Sequence, residues 1–433
     1  SCSYGPGRYD PSYEEHGLDY PHAWVRWTER RNMESFNKLA QEKIIDVSSL
    51  TSHVFPLEKA SEAYEMVLSS SKSFLGVLLE YDVPIEKPLI DRTSFYLKNR
   101  NKKKDSFGVS FIGAGSYAQS FILPNLPPAK NFLRCGVVTR SGATSSRICE
   151  KFGFSYSGED VDEIFSDKMT DLIMITTRHN SHADLIIRSI KARKHVYVEK
   201  PLCLTEVDLT KIEEAWRDNS GHSHIMVGFN RRFAPLVKRI KSKLTSCPLS
   251  AIYRVNAGPV SPESWIQDPN LGGGRIIGEV CHFIDLLTFL VGELPAFVQA
   301  TRLSDSKKLG DTISINLEFP NGSIGTILYC ANGPKNLAKE HIEVFQSGQS
   351  WALEDFRSLT YYSGNGKPLK TRALVQNKGQ KEMLTCLLDS LAGGKSSPIT
   401  FKEILAVSAA TLAVEKAAQN RSIVRVNSDF GIS

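Results

Sequence analysis

The sequence predicts an α/β protein. A first stretch alternates strands and helices around a parallel sheet, and an α+β stretch with a mostly antiparallel open sheet follows. Three observations carry this. Phe107 to Ile112 is a short apolar run that stops on Gly113-Ala-Gly115-Ser116-Tyr117-Ala118, after which Gln119 to Leu123 continues as a helix. Beyond it, apolar runs at Leu133–Thr139, Asp171–Thr177 and His195–Val198 alternate with helical patterns at Thr144–Phe152 and Ala183–Ala192. Finally Ser250–Ala257, Ala296–Leu303, Thr312–Phe319, Ser323–Ala331 and His341–Phe345 read as strands separated by turn residues such as Asn321-Gly322. Amphipathic helices at Lys381–Ala392 and Phe401–Gln419 close the chain.

The glycine turn has a physical use. Gly113 permits the tight turn, Gly115 lets backbone approach a pyrophosphate, and the small Ala118 lets helix pack on strand. The free N–H groups of the helix start, around Ser116 and Tyr117, then face the anion. A dinucleotide fits there, NAD or NADP. An acid at the end of the second strand, ~20 residues on, would hold the ribose hydroxyls of NAD. That place reads Thr139-Arg140-Ser141-Gly142, and Arg140 with Ser141 suits a 2′-phosphate, which favours NADP; an exposed loop arginine fits equally.

At 433 residues the chain is long for one core, with 41% hydrophobic and 23% charged residues. The net charge of +6 partly sits in one cluster, Lys98 to Lys104, and points to neither a nucleic-acid nor a membrane surface. The eight cysteines lack the close pairing of a zinc site or redox dithiol, so no metal is expected, and reduced thiols suit a cytoplasmic protein. No apolar run is long enough to span a bilayer, and no charged-then-apolar leader opens the chain. The start at Ser-Cys-Ser fits a piece of something longer.

Residues 1–90 differ from the rest. Ser1–Asp19 is polar and turn-rich, a helical pattern runs from Thr28 to about Ala40, and Val54-Phe-Pro-Leu-Glu58 leads into a helix near Ala60–Leu68. Phe74–Tyr81 reads as a strand. The motifs Arg30-Arg-Asn-Met-Glu34, His53 to Tyr64 and Phe74 to Glu80 resemble the C-terminal tail of a medium-chain, zinc-type alcohol dehydrogenase, without that family's zinc ligands or dinucleotide glycines. On pattern alone, a small cap of helices and a hairpin fits the same residues. Residues 91–106, with the lysine cluster, read as a linker.

From residue 107 the resemblance is to the Gfo/Idh/MocA family of glucose-fructose oxidoreductase and inositol dehydrogenase. It is carried by Gly113–Ala118, Thr177–His182, Lys194-His-Val-Tyr-Val-Glu-Lys-Pro-Leu202, Val227–Phe233 and Gly272–Asp285. The resemblance implies a Rossmann dinucleotide-binding domain over 107–228 and an α+β substrate and oligomerisation domain over 229–433. It also implies catalysis by Lys200 and His282. Thr177, Asn180 and His182 are expected on the nicotinamide side, and Glu199 is expected to orient the cofactor or Lys200.

The family commonly carries Asp four residues before the histidine and Gly two before it; here stand Gly278 and Val280. If Arg275–Leu290 is one helix, Glu279, His282 and Asp285 share roughly one face, and Glu279 or Asp285 becomes the candidate orienting acid, with a structural ion pair equally open. Arg231, Arg232 and Trp265 are expected on loops facing the cleft, where the arginines suit a phosphorylated or nucleotide-linked substrate.

The resulting expectation is an NAD(P)-dependent oxidoreductase acting on a hydroxyl or keto carbon of a sugar, sugar derivative or cyclitol. The alternatives are a redox-neutral, NAD-retaining hydrolase or lyase and a non-catalytic dinucleotide-binding partner. A homodimer or tetramer is implied by the resemblance, and the fused tail hints at polysaccharide or nucleotide-sugar synthesis.

Overall fold

The computed structural model describes residues 5–14, 17–22, 24–69, 73–81, 95–96, 107–126, 132–304, 309–364, 366–427 and 430. They fall into two compact units, Ser1–Asp91 and Arg92–Ser433. The cluster Lys98–Lys104 lies outside the described residues.

In the first unit, strand Thr51–Pro56 and strand Gly76–Glu80 pair in parallel, joined by helix Ala60–Ser69; helix Glu29–Gln41 precedes them. The strand at 51–56 is one that the sequence pattern merged into the approach to the helix. A parallel pair needs a crossover, and the helix supplies it. Only Ala63 and Met66 of that helix are buried, so a two-stranded sheet covers little apolar surface here.

The second unit opens with a seven-stranded sheet in the order 95–96, 156–158, 132–138, 107–112, 172–175, 195–198, 225–227. Every pairing is parallel except that of Phe95–Tyr96, which adds an antiparallel edge strand within what reads in sequence as linker. The central strands are buried on both faces, as near-continuous Val/Ile/Leu runs require. Strand order reverses beside Phe107–Ile112, and that crevice at the strand C-termini is where such sheets bind ligands. After the glycine turn the backbone winds as a wide π-helical turn, Ala118–Ile122, and then a 3-10 turn, Leu123–Asn125, at Pro124.

A nine-stranded sheet follows, in the order 369–372, 358–363, 349–354, 340–346, 250–256, 324–330, 313–318, 297–302, 424–425. All its pairs are antiparallel except 250–256 with 324–330. Burial alternates along its strands, so one face is covered and the other open. Helices Cys281–Val291 and Phe401–Asn420 belong to the same core. The expected single helix over 275–290 is instead a π-helical turn, Ile276–Val280, continuing into the α-helix Cys281–Val291. Among the described residues no helix is long and apolar enough to cross a membrane.

Candidate active site

The glycine turn is tight for a reason visible in its neighbours. Gly113 has φ +82°, and a Cβ there would lie 2.8 Å from Thr177 Cγ2 and 2.9 Å from the Thr176 carbonyl. Its N–H donates to the Val138 carbonyl (2.8 Å), and Thr176 Oγ1 donates to the Gly113 carbonyl (2.7 Å). Gly115, by contrast, faces open space within 4 Å, and Ala118 is buried. A cradle closed behind and open in front fits a dinucleotide pyrophosphate. Ser116 and Tyr117 form the first helical residues above it.

At the adenosine end Thr139 Oγ1 donates to the Ser141 carbonyl (2.8 Å), and Arg140 is exposed with no partner among the described residues. The N–H of Gly142, at the start of helix Gly142–Phe152, donates to the Glu159 carboxylate. That acid comes from the end of the next strand, so the 139–142 segment alone gave no sign of it.

Lys200 lies just past strand His195–Val198, and its Nζ donates to the Gly278 carbonyl (2.9 Å), joining the two halves of the second unit. Glu199 is buried and accepts a hydrogen bond from the Tyr197 hydroxyl (2.5 Å); burial pushes its carboxyl up, against the pull of Tyr197 and Lys200. A Cβ on Gly228 would meet both partners at 2.9 Å, so that glycine leaves room for the pair.

His282 is 7% exposed, and its Nδ1 has no hydrogen-bond partner. Burial first, then the charges of Arg231, Lys200, Lys339 and Lys378, hold its imidazole well below the usual range. A neutral ring has a lone pair to accept a proton, which is what a general base needs.

Neither proposed orienting acid reaches His282. Glu279 sits in the π-helical turn and its carboxylate takes the Arg275 guanidinium (3.0 Å). Asp285 is fully buried and bonds Arg232 through two N–H groups (3.0 and 2.6 Å), with Glu403 on the third (3.1 Å). The widened turn shifts the register on which a shared face depended.

The two arginines are likewise committed. Arg231 makes a two-pronged pair with the buried Glu340 (2.7 and 3.0 Å), to which Lys378 (2.7 Å) and the Tyr253 hydroxyl also donate hydrogen bonds. Burial opposes ionisation of Glu340, but Arg231 and Lys378 outweigh it and hold the carboxyl well below its usual range. Arg231 and Arg232 therefore build the domain rather than offering guanidinium groups to a substrate phosphate.

On the opposite wall His182 is fully enclosed, its Nδ1 donating to the Pro201 carbonyl (2.7 Å). Burial, more than any charge, lowers its pKa to about 4. It fastens the Lys200 loop instead of facing the cleft. Asn180 is exposed, with its N–H on the Leu271 carbonyl (3.1 Å), and Thr177 Oγ1 bonds Ser181 Oγ (2.6 Å). Trp265 lies edge-on to His179 (4.8 Å between ring centres), a residue that the sequence reading passed over. The sequence singles out its neighbour Asn180, and nothing in the spacing marks His179. A surface groove along Lys238, Lys381, Glu382, Cys386, Asp389 and Lys395 contains none of these residues.

Comparison with known proteins bears on the family and the fold. Residues 107–229 match the oxidoreductase-family model described as an NAD-binding Rossmann fold, and residues 249–350 match the C-terminal domain model of the same family. The chain belongs to the Gfo/Idh/MocA family. Myo-inositol 2-dehydrogenase of Thermotoga maritima is 27% identical over 186 residues, 41% of this chain and 55% of that protein. Levoglucosan dehydrogenase of Pseudarthrobacter phenanthrenivorans is 30% identical over 162 residues, 35% of this chain and 41% of its own length. The chain thus matches about half the length of these curated relatives. A solved levoglucosan dehydrogenase, in complex with NADH and levoglucosan, superposes with a TM-score of 0.66 at 21% identity. The superposition covers 74% of this chain and all of the other, and shows a shared fold. The Gfo/Idh/MocA fold is thus that of a Rossmann domain followed by a mixed, mostly antiparallel sheet.

Proposed function

We propose that this Gfo/Idh/MocA chain is an NAD-dependent dehydrogenase that oxidises a secondary hydroxyl of a sugar, sugar derivative or cyclitol. The observation that carries it is Lys200 Nζ on the carbonyl of Gly278, four residues before the buried His282 whose Nδ1 has no hydrogen-bond partner, together with a glycine cradle that fits a dinucleotide.

A bound nicotinamide would supply the hydride acceptor. Gly113, Gly115 and Ala118, with Ser116 and Tyr117, would hold its pyrophosphate; Thr177, Asn180 and Glu199 would border the nicotinamide end. Lys200 donates a hydrogen bond to the reacting oxygen and favours its anionic form. His282 accepts the hydroxyl proton, and the cations around it disfavour keeping that proton, so release to water is easy. The ordering of the histidine falls to packing, Phe229 standing edge-on to its ring (6.2 Å), since no carboxylate does it.

Glu159 at the Gly142 N–H supports NAD over NADP, because a 2′-phosphate there would face a carboxylate. The dehydrogenase names of the relatives support a polyol substrate. A homodimer or tetramer through the open sheet face is part of the same reading, which exposed Ile252, Ile324, Leu328 and Phe345 support. So is an alcohol-dehydrogenase-like origin for residues 1–90, which the strand-helix-strand order supports.

The test is NAD reduction by a panel including myo-inositol and levoglucosan, followed at the reduced-nicotinamide absorbance. Turnover that falls at least about 100-fold in both Lys200→Ala and His282→Ala, with NADH binding retained, is expected. Product formed without net absorbance change points to the redox-neutral alternative, and undiminished turnover in either variant overturns the assignment.

A further inference from the structure

The peptide at Gly278 carries no side chain into the cleft, and the space beside it is filled from the other domain. A Cβ built on Gly278 would lie 3.0 Å from His179 Cε1 and 3.5 Å from its Nδ1, so the imidazole stands against the bare backbone there. Gly278 is also the residue whose carbonyl receives Lys200 Nζ (2.9 Å), so the ring lies beside the anchor of the catalytic lysine.

The ring is fixed from two sides. It is 6% exposed, with Trp265 edge-on to it, and its Nδ1 lies 2.8 Å from the Gly272 carbonyl. A carbonyl only accepts, so Nδ1 carries the proton and Nε2 is left as a lone-pair acceptor. Burial and the Lys200 charge lower the ring's pKa to about 3, so the lone pair persists across the physiological range. Among the described residues Nε2 makes no hydrogen bond. A rigid, unpaired acceptor next to Lys200 suits a hydroxyl donor.

We infer that His179 is a substrate-binding residue whose Nε2 accepts a hydrogen bond from a substrate hydroxyl next to the reacting carbon, taking the slot that Gly278 leaves open. The inference rests on the dehydrogenase reading above and selects vicinal diols over isolated secondary alcohols. Where a site is built to bond a hydroxyl, an analogue lacking it leaves the acceptor unpaired and binds poorly.

The experiment uses the full chain and four variants: His179→Phe, His179→Ala, Gly278→Asp and the His179→Ala/Gly278→Asp double. Phenylalanine keeps the ring against Trp265 and removes the acceptor. NADH titration of each variant reports an intact fold. Expected is a KM for myo-inositol or levoglucosan raised about tenfold or more in both His179 variants, with NADH affinity kept. Gly278→Asp alone loses turnover because its side chain meets the ring. The double variant regains at least about tenfold over His179→Ala, since the carboxylate then enters the vacated space as the acceptor. Wild-type kinetics in His179→Phe, or no gain in the double variant, overturns the inference. If the wild type oxidises no polyol, the dehydrogenase reading fails separately. The inference is then decided by 15N-histidine NMR: a polyol-dependent shift of the His179 Nε2 resonance supports it, and none at millimolar myo-inositol and levoglucosan overturns it.

Discussion

Replacing Asp285 by Asn separates a structural acid from one that orients His282. The Asp285 carboxylate is buried and takes two N–H groups of Arg232, whose own side chain is 4% exposed. Asparagine keeps the shape but loses the charge, and turns an N–H donor toward the guanidinium. Removing one partner of a buried pair costs about 3–5 kcal/mol, because the other charge stays buried. Glu403 remains on Arg232 at 3.1 Å and compensates in part, so the lower end, about 3 kcal/mol, is expected. At roughly 2–4 °C per kcal/mol for a domain of this size, the midpoint of thermal unfolding falls by about 6–12 °C. Circular dichroism melting measures this directly. Turnover per folded molecule at low temperature stays within about twofold, since no catalytic contact passes through Asp285. A melting point unchanged within about 2 °C, with turnover lost by orders of magnitude, would refute the reasoning and return Asp285 to a role on His282.

The pH dependence of stability follows from the buried histidines. His182 titrates at about 4 and His282 well below 6.5 in the fold, burial being the main cause for both. Both return to about 6.5 when unfolded. The unfolded chain therefore binds more protons once the pH drops below 6.5, so this stabilisation is complete above that value and is lost toward pH 5. Each ring accounts for about 1–2 kcal/mol by then. Urea unfolding at pH 7.5 and 5 checks it, and an unchanged midpoint would mean that the rings are charged in the fold. For the cofactor, NADH should bind more tightly than NADPH, and Glu159→Gln should raise NADPH affinity by about fivefold by relieving the repulsion of a 2′-phosphate. Arg140→Ala should weaken what NADPH binding there is. An NADPH preference in the wild type would revive Arg140 as its determinant.

Local chemistry determined the first-order facts in the sequence. An apolar run stopped by Gly113 and Gly115 reads as strand, turn and helix start, because only glycine tolerates the turn and the approach. Alternating runs read as a parallel sheet, and the lysine after His195–Val198 falls at a strand end whatever the rest of the chain does. Of the strands that escaped, 369–372 lies at the sheet edge and is polar, while 349–354 and 358–363 are internal and mix polar residues with aromatics.

Side-chain partnership between distant segments was decided only by the tertiary structure. Spacing by three placed Glu279, His282 and Asp285 together, but a π-helical turn at 276–280 and the guanidinium groups of Arg275 and Arg232 claimed both acids. Arg231 reads as a substrate ligand until Glu340, more than a hundred residues on, is seen beneath it. Glu159 and His179 were silent for the same reason: each matters through a neighbour that is remote in sequence, Gly142 for one and Gly272 with Gly278 for the other. Electrostatic and hydrogen-bond partners follow distance in space, and only the folded chain sets that distance.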